Sequence, residues 1–194
     1  MARQIFALLT FVLLMGTVQS AFAHPGHDGH SFSAGWQHPF HGADHLLAMV
    51  AVGLLAVRIG GRALWVMPAM FIGGMLLGGW VAAMGVPLPG VEQGIMASVL
   101  VLGLLIAMTR VLSLKFAAAL VLLFALFHGH AHIAEMTASN SVLTYAIGFM
   151  SATAVLHLLG VGGGLALTRW SNDATLRVTG GLISAAGLVM FCCP

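Results

Sequence analysis

Residues 38–58 read HPFHGADHLLAMVAVGLLAVR, a polar, histidine-rich start followed by an apolar run from Leu46 to Val57. A largely apolar segment of about 20 residues is long enough to cross the hydrocarbon core of a bilayer as one helix. Pro39 suits a first helical turn, so the pattern predicts that this helix begins at His38. The stretch therefore predicts a membrane-spanning helix with ionisable side chains at one end.

The composition extends this interpretation to the whole chain of 194 residues. Hydrophobic residues make up 60% of the chain and charged residues only 6%, with a mean hydropathy of +1.03. A soluble domain carries about 25% charged residues. The formal net charge of +2 is too small to indicate a nucleic-acid partner. We therefore expect an integral membrane protein whose main partner is the lipid bilayer, with no sizeable soluble domain.

The first residues have the features of a secretory signal peptide. Arg3 supplies positive charge, residues 5–18 are apolar, and Ala21-Phe22-Ala23 is an A-x-A cleavage site. The alternative is a retained first helix. The predicted divisions are a signal peptide over 1–23, a His-rich periplasmic tail over 24–37 and a transmembrane domain over 38–194.

Apolar segments separated by short breaks of Gly, Pro, Ser and Asn predict an all-α bundle of six transmembrane helices in the mature chain. Their approximate limits are 38–58, 64–84, 92–110, 115–134, 142–168 and 174–192. With the mature N-terminus outside, every Lys and Arg of the mature chain falls on the cytoplasmic side, as the positive-inside rule requires. This topology predicts a multi-pass membrane protein with both mature termini on the outer side of the membrane.

Ionisable side chains gather at the outer end of the first span. His38, His41 and His45 follow at i, i+3 and i+7, a spacing that places them on one face of a continuous helix. Asp44 borders that face, where its carboxylate is expected either to bind an ion or to orient a histidine. Met49 lies one turn deeper than His45. One face of the helix thus carries a set of groups that bind cations.

A second set of such residues closes the fourth span. His128, His132 and Glu135 stand at i, i+4 and i+7 and share a helix face, whereas His130 points elsewhere. The topology puts both sets on the same side of the membrane, so they are expected to meet across a helix interface. The carboxy-terminal end of a helix also favours a cation through the helix dipole.

Imidazole and carboxylate groups bind borderline divalent metals such as Ni²⁺, Co²⁺ and Zn²⁺. A single histidine in an apolar helix usually packs with a satisfied hydrogen bond, but clustered ionisable groups in a membrane are costly and mark function. The sequence therefore predicts a metal-ion site. Its candidate ligands are His38, Asp44, His45, His128, His132 and Glu135, with His41, His130, His157, His24 and His27 as weaker candidates.

Three further features have two interpretations each. His157 lies about 15 residues into the fifth span, roughly 22 Å from the outer surface at 1.5 Å per residue. It is either a packing residue or a relay ligand on an inward path. Segment 24–30 is either a solvated tail or a metal-capture segment, and the adjacent cysteines at 192–193 are either inert thiols or soft ligands.

With these residues in place, the chain resembles the HupE/UreJ family of nickel and cobalt permeases. That family carries a His-x5-Asp-His motif, matched here by His38, Asp44 and His45. Its second motif, Phe-His-Gly-x-Ala-His-Gly-x-Glu, is matched by Phe127, His128, Gly129, Ala131, His132 and Glu135. Ile133 stands where the family has Gly, a departure that would alter helix packing and removes no ligand. The resemblance covers the whole chain.

The resemblance implies a secondary permease that takes up Ni²⁺ or Co²⁺ from the periplasm for a hydrogenase, urease or cobalamin pathway. The ion would bind transiently, without a prosthetic group, and the protein would not be an enzyme. A homo-oligomer is compatible with the sequence. The downstream partner would be the maturation pathway of a nickel or cobalt metalloenzyme.

Three other classes of function fit the residues less well. An intramembrane zinc hydrolase would use His128 and His132 as ligands, but Glu does not follow His128 as in a His-Glu-x-x-His protease helix. A haem b protein would use two axial histidines from facing helices, which leaves the carboxylates without a role. A metal sensor would share the site and differ only in lacking metal flux.

Overall fold

The computed structural model describes residues 31–108, 112–136, 141–170 and 172–192. Within these ranges the secondary structure is helical, without strands, which confirms the predicted all-α class. The helices are α1 Ser31–His41, α2 Ala43–Ile59, α3 Ala63–Ala83, α4 Val91–Ala107, α5 Leu114–Ala134, α6 Val142–Trp170 and α7 Asp173–Cys192. The predicted signal peptide, the tail histidines His24 and His27, and Cys193 lie outside the described residues.

The first predicted span is not one helix. Helix α1 begins at Ser31 rather than at His38, and α2 follows it after a bend of 86°. Gly42, at the bend, has an extended backbone (φ −102°, ψ 120°) that interrupts the helix. The prediction that the helix begins at His38 was therefore wrong. His38 and His41 lie in the last turn of α1, on a different helix from His45, so these three histidines do not share one helix face.

Helix α1 packs across α6 in backbone contact. A Cβ atom on Gly35 of α1 would collide with the carbonyl oxygen of Tyr145, and one on Gly148 of α6 would collide with the carbonyl oxygen of Phe32. Glycines at both positions let the two backbones approach closely, as packing in lipid favours. This contact fixes the position of α1 against α6.

Four helices, α3, α5, α6 and α7, are long and apolar enough to cross a membrane. The bent pair α1 and α2 would count as a fifth span, and α4 is apolar but shorter, at 17 residues. These helices indicate a multi-pass membrane protein. The count of six spans remains a prediction.

Helix α2 is the centre of the bundle. Every residue from 45 to 56 is buried, and α2 packs against α6, α4 and α3. A helix that is apolar all round is buried on all sides. Large apolar side chains on the surrounding helices are exposed instead, among them Trp65 at 75% and Leu143 at 69%. These exposed side chains face outward, as they would toward lipid.

The two ends of α2 differ in charge. His45 and Asp44 lie at its start, whereas Arg58 lies in its last turn and its Nη1 donates to Asp173 Oδ1 at 2.6 Å. Arg177 lies near this second end, where its Nε donates to the carbonyl oxygen of Ala107. His45 and these arginines therefore lie at opposite ends of the bundle.

Candidate metal centre

Three buried imidazoles from two helices converge beneath the bend. His45 of α2 and His128 and His132 of α5 each offer a ring nitrogen, and these atoms lie within 4.8 Å of one another. The three residues are 8%, 0% and 2% exposed. We call them the three-histidine group. Their ring centroids are 5.0 Å apart for His45 and His128, and 4.6 Å apart for His45 and His132.

A second set of ligand atoms lies nearer the surface and shares His132. His38 of α1, His132 and Glu135 also offer atoms within 4.8 Å of one another. We call these residues the entry group. His38 is partly buried and Glu135 is exposed, and His38 Nε2 lies 3.8 Å from Glu135 Oε2. Because His132 belongs to both groups, the two form one continuous cluster that runs from the surface into the core.

Asp44 stands behind His45 and is in neither group. Its Oδ1 accepts a hydrogen bond from the backbone N of His45 at 2.7 Å and lies 2.8 Å from His45 Nδ1. A carboxylate only accepts, so Nδ1 carries the hydrogen and Nε2 keeps its lone pair. That Nε2 is buried without a partner among the described residues. Of the two roles expected for Asp44, this geometry fits the orienting one.

Ser98 of α4 orients the imidazole of His128 in the same way, a role that the sequence pattern did not predict. Its hydroxyl donates to the carbonyl oxygen of Ile95 at 2.6 Å and lies 3.0 Å from His128 Nε2. The only hydroxyl hydrogen is used on Ile95, so the Ser98 oxygen accepts from His128 Nε2–H. His128 Nδ1 is then the free atom, and it is buried without a partner in the described structure. Ser98 lies 30 residues from His128, so no local motif could have identified it.

His132 has no orienting partner within the described part of the chain. Both of its ring nitrogens are buried without a hydrogen bond to any described residue, and its ring packs against Phe149 with centroids 3.7 Å apart. A buried polar atom left unpaired costs about 1–3 kcal/mol. The three-histidine group as a whole holds four such nitrogens: His45 Nε2, His128 Nδ1, and His132 Nδ1 and Nε2. A divalent ion would satisfy atoms that the protein itself leaves unpaired.

Glu135 gives the entry group a carboxylate, which the three-histidine group lacks. Burial raises the pKa of the Glu135 carboxyl, the nearby Glu92 and Asp44 raise it further, and His45 opposes them. Glu135 follows the last residue of α5, where the negative pole of the helix favours a cation. A cation at this point would therefore meet both a carboxylate and a helix terminus.

Three of the weaker candidates lie outside both groups. His41 is exposed at the end of α1. His130 Nε2 donates to the carbonyl oxygen of Val86 at 3.0 Å, so it fastens the loop between α3 and α4 to α5. His157 is fully buried in the middle of α6. The structure thus gathers His38, His45, His128, His132 and Glu135 from the predicted ligand set, with Asp44 beside them.

Comparison with known proteins gives two matches over most of the chain. The profile of the HupE / UreJ protein family matches residues 12–190, a range that includes every residue of both groups. Protein HupE of Rhizobium leguminosarum bv. viciae is 41% identical over 172 residues, which cover 88% of this chain and 89% of that protein. No solved structure matches the chain. The residue that departs from the family motif, Ile133, packs against Gly79 of α3.

Proposed function

The chain belongs to the HupE/UreJ family, known for nickel and cobalt transport, and we propose that it is a secondary permease for Ni²⁺ or Co²⁺. The ion would pass from the periplasm to the cytoplasm through the cluster formed by the entry group and the three-histidine group. The observation that carries this proposal is the set of buried imidazole nitrogens without partners in the described structure. Neutral imidazole suits Ni²⁺ and Co²⁺ well, and these ions also accept carboxylate and water.

The two groups would act in sequence. Glu135 and His38 would receive the hydrated ion at the surface, where a carboxylate attracts cations and speeds their encounter. His132 belongs to both groups, so it would hand the ion to His45 Nε2 and His128 Nδ1 without a gap. In the buried group, fixed nitrogens would replace water molecules of the hydration shell. Selection among cations would therefore take place at the buried histidines.

The membrane potential is a sufficient driving force for this uptake. A potential of 100 mV, negative inside, contributes about 2.3 kcal/mol per elementary charge and hence about 4.6 kcal/mol for a divalent cation. At about 1.4 kcal/mol per factor of ten, this is roughly three orders of magnitude in concentration ratio. The sequence has no P-loop motif for nucleotide hydrolysis. We therefore propose that uptake needs no nucleotide.

The remaining parts of the proposal concern location and capture. We place the protein in the bacterial inner membrane with both mature termini in the periplasm, because Lys and Arg of the mature chain then all face the cytoplasm. In that orientation the tail residues His24 and His27 would raise the local metal concentration near Glu135. The ion delivered to the cytoplasm would serve the maturation of a nickel or cobalt metalloenzyme.

Transport is favoured over the other classes of function because the HupE/UreJ family is a transporter family rather than an enzyme family. The geometry adds a reason against a haem b protein. The ring centroid of His45 lies 5.0 Å from that of His128 and 4.6 Å from that of His132. A haem between two axial histidines would need a gap of the width of a macrocycle between the rings.

The proposal is tested with purified protein in proteoliposomes that carry a potential negative inside. We expect saturable uptake of radiolabelled Ni²⁺ that Co²⁺ inhibits, and we expect the double variant D44A/H45A to abolish it. Inhibition of Ni²⁺ uptake by Zn²⁺ and Cu²⁺ in the same assay ranks the ions by how well they compete with Ni²⁺. The matched control is His41→Ala, because His41 is exposed and lies in neither group. Folded wild-type protein without saturable Ni²⁺ or Co²⁺ uptake would refute the proposal.

A further inference from the structure

His157 and Thr153 form a polar spot in the apolar middle of α6. Both residues are 0% exposed. Nδ1 and Nε2 of His157 and Oγ1 of Thr153 are all buried without a hydrogen-bond partner among the described residues. Residues four apart in a helix lie on the same face, so the imidazole and the hydroxyl point to one side of α6. Three unpaired polar atoms on one buried face are an exception that a bound ion or water would explain.

Thr153 differs from Ser151 and Thr179 in the hydrogen bonding of its hydroxyl. Ser151 Oγ donates to the carbonyl oxygen of Ile147, and Thr179 Oγ1 donates to that of Thr175, each four residues earlier. A hydroxyl in a helix normally satisfies itself in this way. Thr153 has the same opportunity and does not use it. Its oxygen is therefore left available to another group.

The polar spot is connected to the three-histidine group by two aromatic residues. Phe71 of α3 contacts both His128 and His157, with ring centroids 5.3 Å and 5.1 Å away. Phe149 of α6 contacts His132 and stands one helical turn before Thr153. Residues 149, 153 and 157 thus follow one another on the buried face of α6, at about 6 Å per four residues. This face leads from the three-histidine group toward the end of the bundle that carries Arg58.

The backbone around His157 is held firmly. A Cβ on Gly53 of α2 would collide with the carbonyl oxygen of His157, and one on Gly160 would collide with that of Val50. The turn of α6 that carries His157 is therefore packed against the central helix through backbone contact. A side chain on such a turn has a fixed position, as a binding residue requires.

We propose that His157 and Thr153 form a second, inner binding station for the transported divalent ion. The station offers an imidazole nitrogen and a hydroxyl oxygen, and water fills the remaining coordination positions. An ion that leaves His128 passes the ring of Phe71 and reaches His157. This proposal rests on the proposed function, because it concerns the path of the same ion after the three-histidine group.

The test separates binding from translocation with two variants that preserve shape. His157→Leu removes both unpaired nitrogens, and Thr153→Val removes the unpaired hydroxyl while keeping the branched side chain. The matched control is Thr179→Val, because Thr179 is equally buried but its hydroxyl is already bonded. Each purified variant is measured for Ni²⁺ affinity in detergent by calorimetry, for Ni²⁺ uptake in proteoliposomes and for thermal unfolding.

We expect His157→Leu to bind Ni²⁺ at the three-histidine group with wild-type affinity and to lower the uptake rate about tenfold or more, because even the loss of an orienting partner costs about 10-fold to 100-fold. Thr153→Val should lower uptake several-fold, and Thr179→Val should leave it unchanged. We also expect the unfolding temperature of His157→Leu to equal or exceed that of the wild type, because unpaired buried atoms are removed.

Wild-type uptake by the folded His157→Leu and Thr153→Val variants would overturn the inner station and leave the proposed function intact. Loss of Ni²⁺ binding in His157→Leu would also overturn it, since His157 would then belong to the first site. If the wild-type protein itself transports neither Ni²⁺ nor Co²⁺, it is the proposed function that fails. Should His157→Leu not fold, the comparison of Thr153→Val with Thr179→Val decides the matter alone.

Discussion

The entry group and the three-histidine group share His132 but differ in almost every other property. The entry group is partly exposed and contains a carboxylate, whereas the three-histidine group is buried and contains only imidazoles. Asp44 and Ser98 orient two of the buried histidines. A charged, solvated site attracts ions quickly, and a buried site with fixed ligand atoms discriminates among them. Under the proposed function, capture and selection would therefore take place at different points along the cluster.

The largest effect is expected from His132→Ala, because this variant removes a ligand from both groups at once. We expect Ni²⁺ affinity to fall by more than the roughly 100-fold that the loss of an orienting partner costs, and uptake to become undetectable. Calorimetry in detergent and proteoliposome uptake measure the two quantities. If His132→Ala kept the wild-type affinity, the two groups would not share a ligand and the comparison would break down.

The next largest effect is expected from Ser98→Ala, which leaves every ligand in place. Without its partner, the imidazole of His128 is free to change tautomer and orientation, and Ni²⁺ affinity should fall about 10-fold to 100-fold. Nitrogen NMR of the metal-free protein labelled at histidine should report Nε2–H for His128 in the wild type and a mixture in the variant.

The control for this prediction is Ser184→Ala, because Ser184 also bonds across a helix interface, to the carbonyl oxygen of Leu100. It should change neither the affinity nor the NMR signals. Equal effects of the two serine variants would mean that helix packing, and not the tautomer of His128, determines the affinity.

A smaller effect is expected from Glu135→Gln, which changes the entry group alone. At neutral pH we expect the concentration for half-maximal uptake to rise about tenfold with little change in maximal rate, since an exposed charge acts mainly on encounter. Partial burial raises the pKa of Glu135, so its carboxylate takes up a proton at a higher pH than a fully solvated glutamate. Ion capture by the wild type should therefore weaken as the pH falls. The Glu135→Gln variant should not show this pH dependence, because glutamine does not titrate. A fall in maximal rate alone would place Glu135 beyond the capture step.

The smallest effect on transport is expected from His130→Ala. His130 fastens the loop after α3 through the carbonyl oxygen of Val86 and belongs to neither group. We expect the free energy of unfolding to fall by about 1 kcal/mol and Ni²⁺ affinity to stay unchanged. Chemical denaturation in detergent and calorimetry test both points. A clear loss of Ni²⁺ affinity in a folded variant would extend the three-histidine group to a further residue.

The helical spacing in the sequence anticipated part of the geometry of the candidate cluster. The predicted spacing of His128 and His132 on one helix, with Glu135 directly after its end, agrees with the structure, because α5 is continuous from Leu114 to Ala134. The same argument failed for His38 and His45, because it assumed that no break occurs at Gly42. The extended backbone found there is open to any residue. Whether it is adopted depends on the packing of α1 against α6, which local spacing does not contain.

An all-helical membrane protein with ionisable residues of metal-binding types can be predicted from the sequence alone. These properties follow from composition and from the chemistry of single side chains. Three features become visible only in the folded chain: which ring nitrogens are free, that Asp44 stands behind His45, and that Ser98 from another helix holds His128. The physical reason is that a ligand atom is made available by hydrogen bonds to its neighbours in space. For His128 that neighbour is 30 residues away in the chain.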